Sequence, residues 1–336
     1  MDIKTLKKID SNSMYEIYDK WPEIAKKSYN SDIQVVEFKD IDHIVFVGMG
    51  GSGAMGDMFS SILSKTNTHV SVVKGYVLPK TIDKNSLVIF TSVSGNTIET
   101  LSAIKEIKKY DCNTISFSSG GLLEKYCKKN NFEHRKIIKN HSPRASFITY
   151  LYSMIKILED IVPIKKNQVT NSIKELKILN KKISSKNLTD KNPAIKIAKE
   201  ISGIPLIYYP WGLQASAIRF KNSLQENTKM HAIVEDVVEA SHNGVVAWEK
   251  KSEVFPIILK GYDDYIKTKE RWEIMKTYFK NNEIKYGEIS SIKGDILSKL
   301  IYLVYLLDYS TIYKAVLNKI DPTPVKSIDY IKSQLK

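Results

Sequence analysis

A chain of 336 residues, 43% apolar and 26% charged, has ordinary globular composition rather than that of a disordered chain. At about 150 residues per domain it is long enough for two cores. Its 51 Lys and Arg against 37 Asp and Glu leave a net charge of +14, which attracts anions; the basic residues are spread along the chain without forming an arm, so small phosphorylated molecules are expected and nucleic acid is not. The two cysteines, Cys112 and Cys127, lack paired-thiolate spacing, which excludes a cysteine zinc site and a disulfide framework and fits a reducing cytoplasm.

The opening Met1-Asp2-Ile3-Lys4 is charged, so no secretory leader is expected. Met14, Ile17, Trp21 and Ile24 recur at helical spacing and predict one amphipathic helix. Short apolar runs then alternate with helical stretches. Ile44 to Val47 precedes a helix ending near Ser64, Val70 to Val73 follows, and Leu87 to Phe90 precedes a helix carrying Ile98, Leu101, Ile104 and Ile107. A fourth strand is expected at Thr114 to Phe117. Such alternation predicts a parallel sheet covered on both faces, with ligands at the carboxyl ends of its strands.

From Ile164 to Asn192 the patterning fades. A second series starts at Pro205 to Tyr209 and continues through a helix Ala215 to Gln225 and a strand Phe255 to Leu259. Helices follow at Asp264 to Lys280, Asp295 to Leu317 and Val325 to Leu335. Residues 1–162, a helical linker 163–192 and residues 193–336 are the expected divisions, the two large parts being versions of one α/β unit. The longest apolar run, near Leu300 to Leu307, falls far short of the roughly 20 residues of a membrane span, so no membrane partner is expected.

Two loops carry chemistry. Gly48-Met49-Gly50-Gly51-Ser52-Gly53 fits the G-x-G-x-x-G dinucleotide fingerprint between a strand and a helix. The fingerprint also wants an acid about 20 residues on, at the end of the next strand. Here that strand ends at Lys74, with no Asp or Glu between Asp57 and Asp83. Lys74 suits a 2′-phosphate, which keeps an NADP-dependent oxidoreductase open. A tight turn that merely needs small residues is the plainer alternative. In Ser92-Val93-Ser94-Gly95-Asn96-Thr97, three hydroxyls and the amides of a helix start make a cradle for a phosphate monoester. An ordinary Ser/Thr cap is the alternative, but one cap does not need three hydroxyls.

With these loops the chain resembles the sugar isomerase (SIS) family of phosphosugar-binding proteins, and within it the bifunctional phosphoglucose/phosphomannose isomerases. The resemblance runs through five blocks: Gly48 to Asp57, Thr91 to Thr100, Pro143-Arg144-Ala145-Ser146, Leu224 to Glu249, and Asp321 to Lys336. It implies two SIS-type α/β domains, each a parallel β-sheet flanked by α-helices in three layers, with the site between them.

The implied reaction is aldose–ketose isomerisation of a hexose 6-phosphate through a cis-enediolate. Gly51 and Ser52 would line the sugar side through their amides, and Ser92, Ser94 and Thr97 would hold the phosphate. Arg144, after a Pro143 that reads as a helix start, would face the enediolate. Glu226 corresponds to the isomerisation base and His242 to the ring-opening group, and both residue types suit those proton transfers. Lys332 matches the lysine at the ring oxygen, and Thr323 the small residue that leaves room for either C2 epimer. The family pattern has Pro-Glu before the histidine and His-Asn-Glu at it, whereas this chain has Ala240-Ser241 and His242-Asn243-Gly244. No cofactor or metal is implied, and the six histidines show no H-x-H or H-x-x-x-H spacing. The resemblance also implies a cytoplasmic homodimer with His242 supplied across the interface. A non-catalytic phosphosugar-binding protein is the other reading, and Glu226 and His242 stand against it.

Overall fold

Two short helices open the chain, α1 (Ile3–Ile9) and α2 (Met14–Asp19). Asp2 caps the first by accepting the Thr5 N–H at 2.8 Å, and Asp10 accepts from the amides of Met14 and Tyr15 at 3.1 and 2.8 Å. The single helix predicted through Met14 and Ile24 is broken at Lys20, and α3 (Trp21–Tyr29) starts afresh. Pro22 is the cause: it has no N–H to continue the ladder, yet is tolerated in a first turn. The computed structural model describes residues 1–335. It divides into two compact units, Lys20–Lys174 on one side and Met1–Asp19 with everything from Glu175 on the other.

After α3 come β1 (His43–Val47), α4 (Gly50–Leu63), β2 (His69–Val73), β3 (Ser86–Ser92), α5 (Ile98–Glu106) and β4 (Asn113–Ser118). Then α6 (Gly121–Lys129), β5 (Glu133–Lys136) and α7 (Phe147–Ile157) complete this unit's regular elements. The strands pair in parallel in the order β2-β1-β3-β4-β5. Every residue of β1 and β3 is buried, as strands covered on both faces require. Val45, Val47, Val88 and Phe90 pack with Ile104, Leu123 and Cys127. Elsewhere in the unit Phe46 stacks on Phe59 at 4.9 Å. Gly56 lets α4 come close there: a Cβ at that position would stand 2.8 Å from Val72 and 2.9 Å from Phe46.

Two histidines, the buried His43 and the half-buried His134, make this unit acid-sensitive. His43 Nε2 lies 2.9 Å from Ser71 Oγ, with the His69 ring 4.7 Å away. His134 Nδ1 lies 2.8 Å from Ser116 Oγ. Burial above all holds both below the usual histidine value, helped at His43 by the neighbouring His69. An unfolded histidine takes up its proton near pH 6.5, before either of these does. Below that pH the unfolded chain binds more protons, so stability falls as the pH drops. Urea unfolding should therefore show lower stability at pH 5.5 than at 7.5. In a His43→Gln, His134→Gln variant that drop should shrink; an unchanged drop would place the acid sensitivity elsewhere.

The helix α8 (Lys166–Ile183) runs across the division between the units. It is followed by α9 (Pro193–Glu200), β6 (Ile204–Tyr209), α10 (Gln214–Ser223), β7 (Ile233–Asp236) and α11 (Val237–Ala240). The chain goes on through β8 (Val254–Lys260), α12 (Ile266–Asn281), β9 (Gly287–Ser290), α13 (Ile296–Leu317) and α14 (Lys326–Gln334). The second sheet is parallel in the order β7-β6-β8-β9. It repeats the first four strands of the other sheet, position for position. By length and composition the 22-residue α13 could cross a bilayer, which the shorter apolar run in the sequence did not indicate. In the fold 83% of its most apolar window is buried, and it packs against α9 and α10.

The units differ from the divisions expected at 162/163 and 192/193. Residues 1–19 belong with the later part of the chain, because α13 supplies their hydrogen-bonding partners. Tyr305 donates to the Tyr18 carbonyl at 2.7 Å and Tyr18 donates to Asp308 at 3.1 Å. Asp19 receives Tyr309 and the Ser185 amide. The helical linker expected at 163–192 is occupied by α8 over Lys166–Ile183, and the division between the units falls within that helix, between Lys174 and Glu175.

Candidate active site

In the unit Lys20–Lys174 the chain leaves β1 toward β2 on one side and β3 toward β4 on the other. The crevice between β1 and β3 is therefore the switch point where α/β sheets take ligands. Both predicted loops open there. The first is closely packed at its glycines: a Cβ on Gly53 would stand 2.7 Å from the Gly48 carbonyl, and one on Gly51 would stand 3.2 Å from Pro143. Ser52 is buried, and its Oγ accepts the Val93 N–H at 3.1 Å, tying the first loop to the second. Its amide, expected to face a sugar, instead donates to the Met49 carbonyl at 2.9 Å. Gly51 lies in the first turn of α4, where amides lack helical acceptors. Lys74 does not wait for a 2′-phosphate, since it pairs with Asp57 at 2.7 Å.

The second loop is locked in shape. Gly95 has φ +71°, and a Cβ there would stand 1.8 Å from the Gly120 carbonyl, so only glycine fits. Its N–H donates to Ser92 Oγ at 3.1 Å. Ser94 Oγ accepts from Asn96 N–H at 3.2 Å, and Asn96 Oδ1 accepts from Leu122 N–H at 3.0 Å. Thr97 is the N-cap of α5, yet its hydroxyl makes no capping bond; it lies 2.9 Å from Ser92 Oγ. The ordinary-cap alternative thus fails at Thr97. Nor does any side chain cap α4, so two helix N-termini flank the crevice without capping side chains, an arrangement suited to an anion.

Arg144 does not follow a helix start. α7 begins at Phe147, and residues 142–146 form a turn in which Ser146 Oγ donates to the carbonyls of Asn140 and Ser142 at 2.9 and 2.8 Å. The proline comes too early because Ser146 holds this turn outside the helix. Arg144 is buried, and its backbone packs against Gly51. This unit therefore gathers Gly51, Ser52, Ser92, Ser94, Thr97 and Arg144 at one end of its sheet.

In the other unit Glu226 rides on a π-turn, Leu224–Thr228, that extends α10 and ends at Lys229 in the left-handed region. Such turns recur at functional sites because the extra residue re-aims a side chain. Asn227 donates to Thr311 Oγ1 at 2.8 Å, and Thr228 donates to the Leu224 carbonyl. Glu226 itself is half-buried. Behind the turn, Asp308 accepts from Arg219 Nε at 2.9 Å and Ser223 Oγ at 2.7 Å. Burial opposes the Arg219 charge, but the adjacent Asp308, aided by Tyr18 and Glu226, holds its pKa above the usual value. Sequence reasoning missed this support, although Asp308, the one acid in the apolar run Ile296–Leu317, was a readable signal.

His242 is exposed in the turn after α11, whose N-cap Asp236 accepts from Val238 and Glu239 amides at 2.8 and 3.3 Å. A Cβ on Gly244 would stand 2.5 Å from Glu235 Oε1, so a carboxylate from β7 fills the space a side chain at 244 would take. Lys332 lies on α14, where no residue is buried, and the Thr323 amide donates to Asp321 at 2.9 Å. Glu226 and His242 are not brought together in this unit: β7 runs from the turn of one to the turn of the other. Among the described residues no cluster of three His, Cys, Asp or Glu side chains could hold a metal.

Comparison with known proteins matches residues 37–147 to the SIS domain and residues 190–335 to the bacterial phospho-glucose isomerase C-terminal SIS domain. The chain is 33% identical over 336 residues to a bifunctional phosphoglucose/phosphomannose isomerase of Caldicellulosiruptor bescii, covering 96% of this chain and 98% of that one. It is 30% identical to the protein so named in Aquifex aeolicus, over 94% of each. In structure it resembles tagatose-6-phosphate ketose/aldose isomerase from Escherichia coli, with a TM-score of 0.67 at 12% identity over 94% of this chain and 96% of that one. That last likeness bears on the fold alone.

Proposed function

This chain belongs to the bifunctional phosphoglucose/phosphomannose isomerase family, and from that premise we propose that it interconverts glucose 6-phosphate and mannose 6-phosphate with fructose 6-phosphate. The reaction is an internal oxidoreduction, in which C1 of the aldose is reduced as C2 is oxidised. Ser92, Ser94 and Thr97 hold the phosphate against the first turn of α5, and the Gly51 amide lines the sugar side. Ser52 holds the two loops together. His242 and Lys332 open the ring, and Glu226 takes the proton from C2 and returns it to C1. Arg144 stabilises the cis-enediolate between these steps, an electrostatic task for which a guanidinium is suited. A planar enediolate can be reprotonated at C2 from either face, which accounts for two aldose products. The scheme needs no metal or cofactor. We place it in the cytoplasm, in a homodimer whose second copy supplies His242.

The observation that carries this reading is the second loop. A cap threonine that leaves its helix start uncapped, beside Ser92 and Ser94, makes a phosphate seat. Incubation with fructose 6-phosphate should yield both glucose 6-phosphate and mannose 6-phosphate. A single aldose product would remove the dual specificity, and no product would remove the reading.

A further inference from the structure

The π-turn that carries Glu226 is fastened to α13 on both sides of that residue. Before the turn, Ser223 Oγ donates to Asp308 Oδ1 at 2.7 Å. After Glu226, Asn227 Nδ2 donates to Thr311 Oγ1 at 2.8 Å. Thr311 gives its own proton to the Asp308 carbonyl at 2.7 Å, which leaves its oxygen to accept from Asn227. Asp308 and Thr311 are three residues apart, on one face of α13. Asp308 is fully buried, and its Oδ2 accepts from Arg219 Nε and Nη2 at 2.9 and 2.5 Å and from Tyr18 at 3.1 Å. Arg219, also buried, stands four residues before Ser223 on α10, so the guanidinium and the serine hydroxyl meet one carboxylate from one helical face.

Stability alone does not account for this pair. Both ions give up their water on burial, and apolar residues of similar volume commonly hold a fold as well or better. What a buried, bidentate pair adds is direction, because its bonds have fixed geometry. Direction matters here. A π-turn is one extra residue in a helix, and moving that residue one place along the chain turns the side chains beside it by about 100°. We propose that Asp308, braced by Arg219, is a positioning residue for Glu226: it fixes the extra residue at Leu224–Thr228 and with it the direction of the Glu226 carboxylate. The consequence for proton transfer rests on the isomerase reading. The hold on the turn does not.

The test replaces the buried polar group as a whole, with Tyr18→Phe, Arg219→Met, Ser223→Ala and Asp308→Leu in one chain, so that none of the four faces a missing partner. The thermal midpoint should hold or rise. Hydrogen–deuterium exchange of the amides of residues 224–228 should quicken on the order of tenfold. For fructose 6-phosphate, kcat should fall on the order of 10–10²-fold at a nearly unchanged KM, the effect of a displaced base. Ser223→Ala alone removes only the fastening ahead of the turn, and should lower kcat by roughly tenfold; it decides the question if the fourfold variant does not fold. A stable fourfold variant with unchanged kcat would overturn the proposal, whatever its exchange. Unchanged exchange would overturn it too, as would Ser223→Ala with unchanged kcat. An unaltered chain that makes no product from fructose 6-phosphate overturns the isomerase reading instead, and exchange then decides the hold on the turn.

Discussion

Glu226→Gln should lower turnover of fructose 6-phosphate by about 10²–10⁴, the range for a lost general base, and leave sugar-phosphate binding in place. The amide keeps the size of the carboxylate but cannot accept the proton that must leave C1 of the ketose on its way to C2. The π-turn should survive, since it is held by Asn227 on Thr311 and by Thr228 on the Leu224 carbonyl. Calorimetric binding of a hexose 6-phosphate separates this from a folding defect. Ser94→Ala with Thr97→Ala should do the reverse, weakening binding at an unchanged thermal midpoint, because these hydroxyls stand at the crevice and not in the core. Near-normal turnover in Glu226→Gln would leave Glu226 a half-buried carboxylate with no part in proton transfer.

The strands read most plainly from the sequence are those buried on both faces. Ile44 to Val47 and Leu87 to Phe90 are continuous apolar runs because the sheet is covered above and below, and they place the two loops at its switch point. Of the edge strands only Val70 to Val73 was readable. Glu133-His134-Arg135-Lys136 and Ile233-Val234-Glu235-Asp236 carry charges, as edges do to discourage further pairing, and so look like loops. Glu226 was identified through its motif, yet the π-turn beneath it was read as plain helix to Gln225. Its determinants, Thr311 and Asp308, lie more than 80 residues away, beyond any local periodicity. Residues 1–19 were misassigned for the same reason: the tyrosines that hold Tyr18 and Asp19 are on α13. Long-range hydrogen bonds of this kind fix a site's support, and a single sequence carries no periodic trace of them.

Unfolding Glu226→Gln protein together with His242→Ala protein, and refolding the mixture, should return about a quarter of wild-type activity. The segment between the two residues is no free loop, since it contains β7 and α11. The four residues of β7 alone span about 13 Å, and they separate the Glu226 turn from the turn that carries His242. One chain folded this way cannot swing its own histidine back along an edge strand without unpairing it from β6. His242 is also exposed, as a residue offered to another copy must be. On the proposed reading each site joins Glu226 of one chain to the partner's His242. A mixed dimer then has one site with both groups intact and one with neither. Random pairing makes half the dimers mixed, and half of their sites are intact, hence the quarter. If His242 served its own chain, every site would carry one lesion, and the mixture would show no more activity than its two parents.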